Sequence, residues 1–396
     1  AGATAAERLR WMVGGNYARD KSHEIQDIFL NLTNTLPFFT GAAQDMASTA
    51  RTWSAFGSVD YRLTPTLTAQ GSLRYTKQKR DMKGCTRDLG DGTFANFVSL
   101  VFGLPPIAPG ACTTIDLTAF QAGLIEDRFS EDNLAWRAGL DWKPTPDLMV
   151  YANATKGYKA GNFVNITAVF ANSLEPIPQE VLMSYEAGFK ASALRRRLQL
   201  TGAAFYYDYK DKQLTGFRDS GIIGIINSVV SVPKSRIIGA ELEALVRPVT
   251  GLTLRGGVTH IDSKVTDDFL ALDSGGTAFN RKGESFPGTP KWAAIGDAEW
   301  DFPLSASWNG FLGGNVAYRS DSRTFFGNDP LYDIPSYTLV DLRAGVRSRD
   351  DRYRLQLYGR NIFDKYYVVT AQGQADNVTR ITSMPATYGL TFSARY

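Results

Sequence analysis

Two cysteines are the residues whose type and spacing suggest chemistry most directly. Cys85 and Cys112 are the only cysteines among 396 residues, and both lie in one long segment between "KGC" and "GACTT". In an oxidising exterior such a pair usually forms a disulfide, and two unrelated thiols are the alternative. We predict the disulfide, which stabilises a loop of this length by roughly 3 to 4 kcal/mol in the chain-entropy model. It would hold the apolar stretch "FANFVSLVFGLPPIAP" in shape, as a contact for neighbouring loops, a ligand or a partner.

The segment "KGYKAGNFVN" carries side chains suited to holding a ligand: Tyr158, Lys159, Asn162 and Phe163. Ammonium and aromatic groups bind anionic or aromatic molecules, so these four are candidate ligand contacts, with ordinary solvated loop residues as the alternative. Two arginines, Arg137 and Arg255, are further candidates for a ligand path. They suit ion pairs with carboxylates of neighbouring strands equally well, and we favour this interpretation. It applies to four arginines, Arg137, Arg255, Arg343 and Arg360, with the carboxylates of Asp141, Glu241, Glu243 and Asp341 as partners.

One cluster resembles a hydrolase triad in composition only. His260, Asp262 and Ser263 lie within four positions of each other, and three such residues on an extended strand cannot all converge. We therefore expect no enzyme activity. With two cysteines and two histidines in the whole chain, the sequence also predicts no zinc or other metal site and no cofactor.

Charge and hydropathy limit the classes of protein further. The 43 basic and 40 acidic residues nearly cancel and form no basic block, so nucleic acid is not an expected partner. No apolar run approaches the roughly 18 to 20 residues of a membrane helix, so an integral membrane protein with this sequence has to be a barrel.

Apolar and polar residues alternate in segments along the whole chain, which is the period of a β-strand. In "NLAWRAGLDWK" Leu134, Trp136 and Leu140 share one face, while Arg137 and Asp141 share the other. We predict 14 such strands. They start near Arg8, Ser48, Thr66, Phe129, Leu148, Val181, Leu198, Ile225, Leu252, Lys291, Ser307, Tyr337, Arg352 and Ala386.

The connections between these strands alternate between tight and long. The long ones are expected near residues 21 to 47, 81 to 127, 159 to 179, 212 to 234, 264 to 286, 321 to 334 and 364 to 384. Outer-membrane barrels have short periplasmic turns and long external loops, and aromatic residues gather at both membrane interfaces. The pattern predicts an all-β, antiparallel transmembrane barrel, with the final Tyr396 on the lipid face at the periplasmic interface.

Particular stretches resemble TonB-dependent outer-membrane receptors of Gram-negative bacteria. "YGRNIFDKYYVV" followed by "MPATYGLTFSARY" is similar to the last two strands of that family, and "SYEAGFKASALRRRLQLTGAAFYYDYKD", "GAELEALVRPVTGLTLRGGVT" and "FPGTPKW" are similar to its mid-barrel segments. The resemblance covers most of the chain. It implies uptake of a scarce nutrient, most often a ferric siderophore, and contact with outer-membrane lipid.

The resemblance also implies parts that these residues do not include. Members of the family have an N-terminal plug domain ahead of a barrel of about 22 strands. We expect residues 1–396 to be the C-terminal part of such a barrel, without the plug, the TonB box and the first strands, so coupling to the TonB complex would run through a plug outside these residues. A passive 14-stranded pore is the alternative function, and a surface adhesin or assembly partner is a third.

Overall fold

Fourteen long strands dominate the computed structural model, which describes residues 8–29, 40–221, 224–374 and 377–395. They form one sheet in which each strand pairs with its neighbours in sequence order. The strands are β1 (Leu9–Phe29), β2 (Gly41–Arg62), β3 (Leu67–Arg87), β4 (Ile125–Thr145), β5 (Leu148–Lys159), β6 (Glu180–Ala193), β7 (Leu198–Asp219), β8 (Ile225–Val246), β9 (Leu252–Val265), β10 (Trp292–Pro303), β11 (Trp308–Arg319), β12 (Tyr337–Ser348), β13 (Tyr353–Arg360) and β14 (Thr387–Ala394).

Smaller elements lie in the connections at one end of this sheet. Four two-stranded sheets join Ile115–Asp116 with Gln121–Ala122, Leu270–Leu272 with Ala278–Asn280, Ser322–Arg323 with Asp333–Ile334, and Val368–Gln374 with Asn377–Thr382. One α-helix, α1 (Thr93–Phe102), and two short 3-10 helices (Ala171–Leu174 and Pro330–Tyr332) complete the described elements. None of the helices in the described ranges is both long and apolar enough to cross a membrane.

The register of the sheet is antiparallel and regular, and it separates two unlike faces. From β1 to β4 the pairing runs without a bulge until the turn after Trp142, so side-chain alternation is preserved across all four strands. The outward face carries large exposed apolar side chains such as Trp53, Leu73 and Leu140. The inner face carries the polar and charged residues, as a barrel with a polar interior requires.

Aromatic residues mark both ends of the outward apolar band. Tyr61, Trp142 and Trp300 lie at the end with the tight turns, which we call the turn end, and Tyr17 and Trp53 lie towards the other, the loop end. Such rings are enriched where the bilayer meets water. The prediction for Tyr396 falls on a residue outside the described ranges.

The predicted strands are confirmed in number, and most of their boundaries are close to prediction. The prediction of a long connection near residues 212 to 234 is wrong for most of its length, because β7 continues to Asp219 and β8 resumes at Ile225. The same extension shortens the connections expected near 21 to 47 and 81 to 127. Paired strands thus project beyond the aromatic band. Their outward side chains are less apolar there, because they face water and not lipid.

The two outermost strands do not pair with each other. Within the described part of the chain, β1 pairs only with β2 and β14 only with β13. The side chains of β1 are exposed on both faces along most of its length. A strand edge in hydrocarbon leaves backbone N–H and C=O groups without partners.

A tight contact on the inner face holds β11, β12 and β13 together. Phe311 is 1% exposed and lies under the guanidinium of Arg354, whose Cζ is 4.3 Å from the ring centroid. Gly345 lies beside this ring, and a Cβ there would overlap both the Leu355 carbonyl oxygen and the Phe311 ring. The absence of a side chain at residue 345 is therefore a packing requirement.

We predict that Gly345→Val destabilises the barrel by about 1 to 3 kcal/mol, the usual range for overpacking. Thermal unfolding followed by the shift between the fast and slow gel bands of unheated and heated samples measures this. The matched control is Gly71→Val, since a Cβ at residue 71 has no neighbour within 4 Å. Equal unfolding temperatures for the two variants would contradict the packing argument.

Candidate functional site

The predicted disulfide is present and closes the longest connection at the loop end. Cys85, near the end of β3, is bonded to Cys112, with 5.7 Å between their Cα atoms and 27 positions between them in sequence. Arg87 and Cys112 also form an isolated β-bridge. The bond therefore fastens the return of the connection directly to the barrel strand from which it leaves.

Within this closed loop, one carboxylate organises the backbone. Asp88 is fully buried, and its Oδ1 accepts hydrogen bonds from the backbone N–H groups of Gly90, Gly92 and Gly110 at 2.8 to 3.0 Å. Its Oδ2 accepts from the first-turn N–H groups of Phe94 and Ala95 at 3.0 and 3.2 Å. Burial alone would raise the pKa of Asp88, but these backbone donors outweigh it and lower the pKa below its usual range.

The helix that Asp88 caps is amphipathic and was missed by the sequence analysis. Phe94 and Val98 are fully buried in a cluster with Ala42, Ile115 and Val169. The apolar spacing of i and i+4, with Gly92 and Gly103 at the two ends, is the signal that could have found α1. Leu100 is 83% exposed and Val101 is also exposed, so the far side of the helix presents apolar groups to solvent.

The four candidate residues of the "KGYKAGNFVN" segment do not share one surface. Phe163 is 3% exposed and packs edge-on against Phe129, with ring centroids 5.2 Å apart, so its ring is not open to a ligand. Tyr158 lies on the outward face of β5, where Lys156 stands over its ring at 5.6 Å. Lys159 and Asn162 remain exposed at the loop end, and Asn162 Oδ1 accepts a hydrogen bond from Arg80.

The other two candidates, Arg137 and Arg255, lie on the inner wall of the sheet. Arg255 pairs with Asp297 at 3.2 Å, and Arg343 pairs with the same Asp297 and with Glu299, each at 2.8 Å. Arg255 therefore forms an ion pair, as we expected. Its partner is Asp297 on the adjacent strand β10, and not Glu241 or Glu243. No ion-pair partner of Arg137 is found in the described ranges.

One cavity adjoins Arg255 and Asp297, and another lies at the loop end. A cavity of about 600 Å³ on the inner wall is lined in part by Gln199, Thr201, Glu243, Arg255, Asp297 and Asn315. A second, of about 620 Å³, lies at the loop end between the connections after β9 and β11, and its charged lining residues are Glu284, Lys291, Asp321, Arg323 and Asp333. Both are large enough for a small-molecule ligand.

Buried charges that the sequence analysis did not identify hold the loop-end connections in place. Lys212 pairs with the buried Glu180 at 3.5 Å and lies 3.8 Å from the ring centroid of Tyr209. Arg281 is 4% exposed and pairs with Glu284 at 3.3 Å. The sequence does not separate these buried charges from solvated ones. Glu180 and Lys212 are 32 positions apart on neighbouring strands, and the i, i+3 spacing of Arg281 and Glu284 is equally common on exposed surfaces.

The residues of the apparent triad do not converge. His260 contacts the Lys291 carbonyl at 3.1 Å and lies against the Trp292 ring on the outward face. Asp262 pairs with Arg236 at 3.5 Å, and the Ser263 hydroxyl accepts a hydrogen bond from the Phe286 N–H. These contacts assign each of the three a structural role.

A family model described as "TonB dependent receptor-like, beta-barrel" matches residues 2–362. The chain belongs to this family of TonB-dependent receptor barrels. The barrels of the family are transport receptors of the outer membrane, which confirms the resemblance noted from the sequence.

The proteins similar to this chain include receptors named for metal-pseudopaline, for ferric yersiniabactin and for a siderophore. The metal-pseudopaline receptor of Pseudomonas aeruginosa is 25% identical over 250 residues, which cover 61% of this chain and 32% of that protein. The ferric yersiniabactin uptake receptor of Yersinia pestis superposes with a TM-score of 0.72 at 17% identity, over 100% of this chain and 52% of its own. The siderophore receptor of Acinetobacter baumannii superposes with a TM-score of 0.69 at 17% identity. The superposition covers 98% of this chain and 53% of that receptor. The chain spans about half the length of these solved TonB-dependent receptors.

We predict that Asp88→Asn loosens the disulfide-closed loop by about 2 to 4 kcal/mol, because an amide cannot accept all five hydrogen bonds and turns its NH₂ towards N–H donors. Hydrogen exchange of the α1 amides should accelerate strongly at pH 7, whereas the exposed control Asp127→Asn should not change it. Unchanged exchange in Asp88→Asn would contradict the capping role.

The same carboxylate sets a pH dependence. Because the folded pKa of Asp88 is lowered, its stabilisation is complete above the unfolded value of about 3.9 and is lost as pH falls through the folded pKa. The difference in protection of the α1 amides from hydrogen exchange, between the wild-type protein and Asp88→Asn, should therefore be the same at pH 5 and at pH 7. A difference that had already vanished at pH 5 would show that the pKa is not lowered.

Proposed function

We propose that this chain forms part of a receptor that takes up a scarce nutrient across the outer membrane, namely a ferric siderophore or a similar metal chelate. The single observation that carries the proposal is the family match over residues 2–362. The names of the similar proteins, which include receptors for ferric yersiniabactin and metal-pseudopaline, support a chelate as the substrate class.

The unpaired outer strands favour a receptor over the alternative of a self-contained 14-stranded pore. A closed pore of 14 strands requires β1 and β14 to pair, and they do not pair within the described residues. We propose that residues 1–396 are one barrel domain whose sheet is completed by further strands, and that coupling to TonB runs through a plug domain of the same receptor. A surface adhesin has no specific observation in its favour.

The ligand is proposed to enter at the loop end, which would face the outside of the cell, with the tight turns in the periplasm. Lys159 and Asn162 are exposed at that end, and Arg137 and Arg255 follow on the inner wall. We propose that these four mark the path from the mouth to the cavity of about 600 Å³. Tyr158 and Phe163 are no longer proposed as ligand contacts, because one lies outward and the other is buried.

The uptake proposal is tested with the protein produced from its own gene in metal-limited cells with and without TonB. Radiolabelled ferric and other metal chelates are the probes, and we expect TonB-dependent, saturable accumulation of one chelate class. Equal entry of many small solutes into both strains would instead indicate a passive pore.

For the chelate so identified, we predict that Lys159→Ala lowers the apparent affinity about tenfold, the loss expected for one hydrogen bond to a charged group. Lys156→Ala is the matched control, since Lys156 lies on the same strand but on the outward face beside Tyr158. Competition binding on intact cells measures both variants. Equal affinities for both would remove Lys159 from the ligand path.

A further inference from the structure

A concentration of basic side chains lies on the outward face of β1 to β4, directly beyond the aromatic band at the loop end. The regular register places these residues in rows that run across the four strands. The first row is Tyr17, Trp53, Lys77 and Asp132; the second is Arg19, Arg51, Lys79 and Ser130; the third is Lys21, Thr49, Asp81 and Arg128. The six cations of these rows are called the basic patch: Arg19, Lys21, Arg51, Lys77, Lys79 and Arg128.

Alternation fixes the direction in which these side chains point. Neither β1 with β2, β2 with β3, nor β3 with β4 has a bulge in this region, so Lys77 and Lys79 are on the same face as Leu73 and Tyr75. The opposite face is independently identified by Met82 and Met46, which are buried with Phe163 inside the loop-end packing. The basic patch is therefore on the lipid side of the wall.

The protein neutralises only part of the charge of the patch. In the described residues one ion pair involves the patch, Arg51 with Asp81 at 2.5 Å. Asp132, the second carboxylate of the three rows, accepts a hydrogen bond from the Tyr75 hydroxyl at 3.3 Å. Six basic and two acidic residues leave a formal excess of four positive charges.

The second row places like charges side by side. Arg19 is opposite Arg51, and Arg51 is opposite Lys79, so three cations lie on adjacent strands whose Cα atoms are about 5 Å apart. Like charges directly opposite destabilise a sheet. An external anion bound between them would remove this repulsion.

We propose that the basic patch binds the phosphate groups of anionic lipid in the leaflet at the loop end of the barrel. Tyr17 and Trp53 lie in the first row, on the membrane side of the other two rows, and their side chains are 64% and 57% exposed. Aromatic rings at this position are typical of the headgroup level of a bilayer. The outward apolar side chains continue below them, so acyl chains can lie against the strands while the headgroup meets the cations. Basic residues next to a membrane bind anionic headgroups through charge in this way.

The position of the patch favours a lipid over a soluble anion. A soluble ligand would approach the mouth or the inner wall, whereas Lys77 and Lys79 are on the opposite side of the wall from the cavities described above. The third row is about 14 Å from the first along the strand, so the patch is longer than the contact that a single small ion makes.

The test uses the whole receptor, produced from its own gene and purified in neutral detergent, and native mass spectrometry counts the lipids that it retains. The probes are phosphatidylglycerol and phosphatidylcholine with the same acyl chains, with inorganic phosphate as a competitor. We expect the chain to retain phosphatidylglycerol in preference to phosphatidylcholine. The variant Arg19→Gln/Lys77→Gln/Lys79→Gln should bind phosphatidylglycerol on the order of a hundredfold more weakly, since each basic residue near the headgroups contributes about fivefold.

The matched control is Arg10→Gln/Arg62→Gln/Arg74→Gln, which removes three exposed cations from the inner face of β1, β2 and β3. It should keep the affinity of the unchanged chain. Unaltered binding by the patch variant, an equal loss in the control, or displacement of the lipid by inorganic phosphate would each overturn the proposal. If the triple variant fails to fold, Lys79→Gln alone should bind phosphatidylglycerol about fivefold more weakly. An unchanged affinity in Lys79→Gln would overturn the proposal as well.

Discussion

The constraint on which this structure depends is that backbone N–H and C=O groups in hydrocarbon need partners within the protein. An antiparallel sheet with regular register supplies those partners strand by strand, and regularity in turn preserves the alternation of side chains. The apolar outward face, the charged inner wall and the position of the basic patch all follow from that one ladder. A single bulge among β1 to β4 would have exchanged the two faces beyond it.

Beyond the aromatic band the constraint changes, because water can satisfy backbone groups and the chain is free to leave the sheet. The loop-end connections accordingly have small cores of their own, built from α1 with Ile115 and Val169 and from Phe163 with Met82. Buried charges in the described part of this region have partners, as in the contact of Lys212 with Glu180. Stability in this region comes from these local clusters and from the disulfide, whereas the barrel relies on its hydrogen-bonded strands.

The sequence predicted the strands well because period-two alternation is a direct consequence of a wall with lipid on one side and polar groups on the other. The disulfide was predicted because only one pairing exists. The helix α1 was missed because its segment is apolar along most of its length, which hides the i, i+4 spacing, and because its capping carboxylate, Asp88, lies outside the helix. The extension of β7 and β8 was missed because paired strands in water need no apolar face. Among the site residues, Phe163 and Tyr158 could not be placed correctly, since burial of the first depends on Phe129 in a distant strand and the direction of the second depends on where alternation ends.

The loop closed by Cys85 and Cys112 has a consequence for the kinetics of recognition. Its five hydrogen bonds to Asp88 and its bond to β3 order the backbone before any encounter, so the conformational entropy of that segment has been lost during folding. A molecule that contacts Leu100 or Val101 meets a preorganised surface and does not have to order the chain as it binds. Association at this surface is then governed by diffusion and orientation, and its selectivity by fit to a rigid shape.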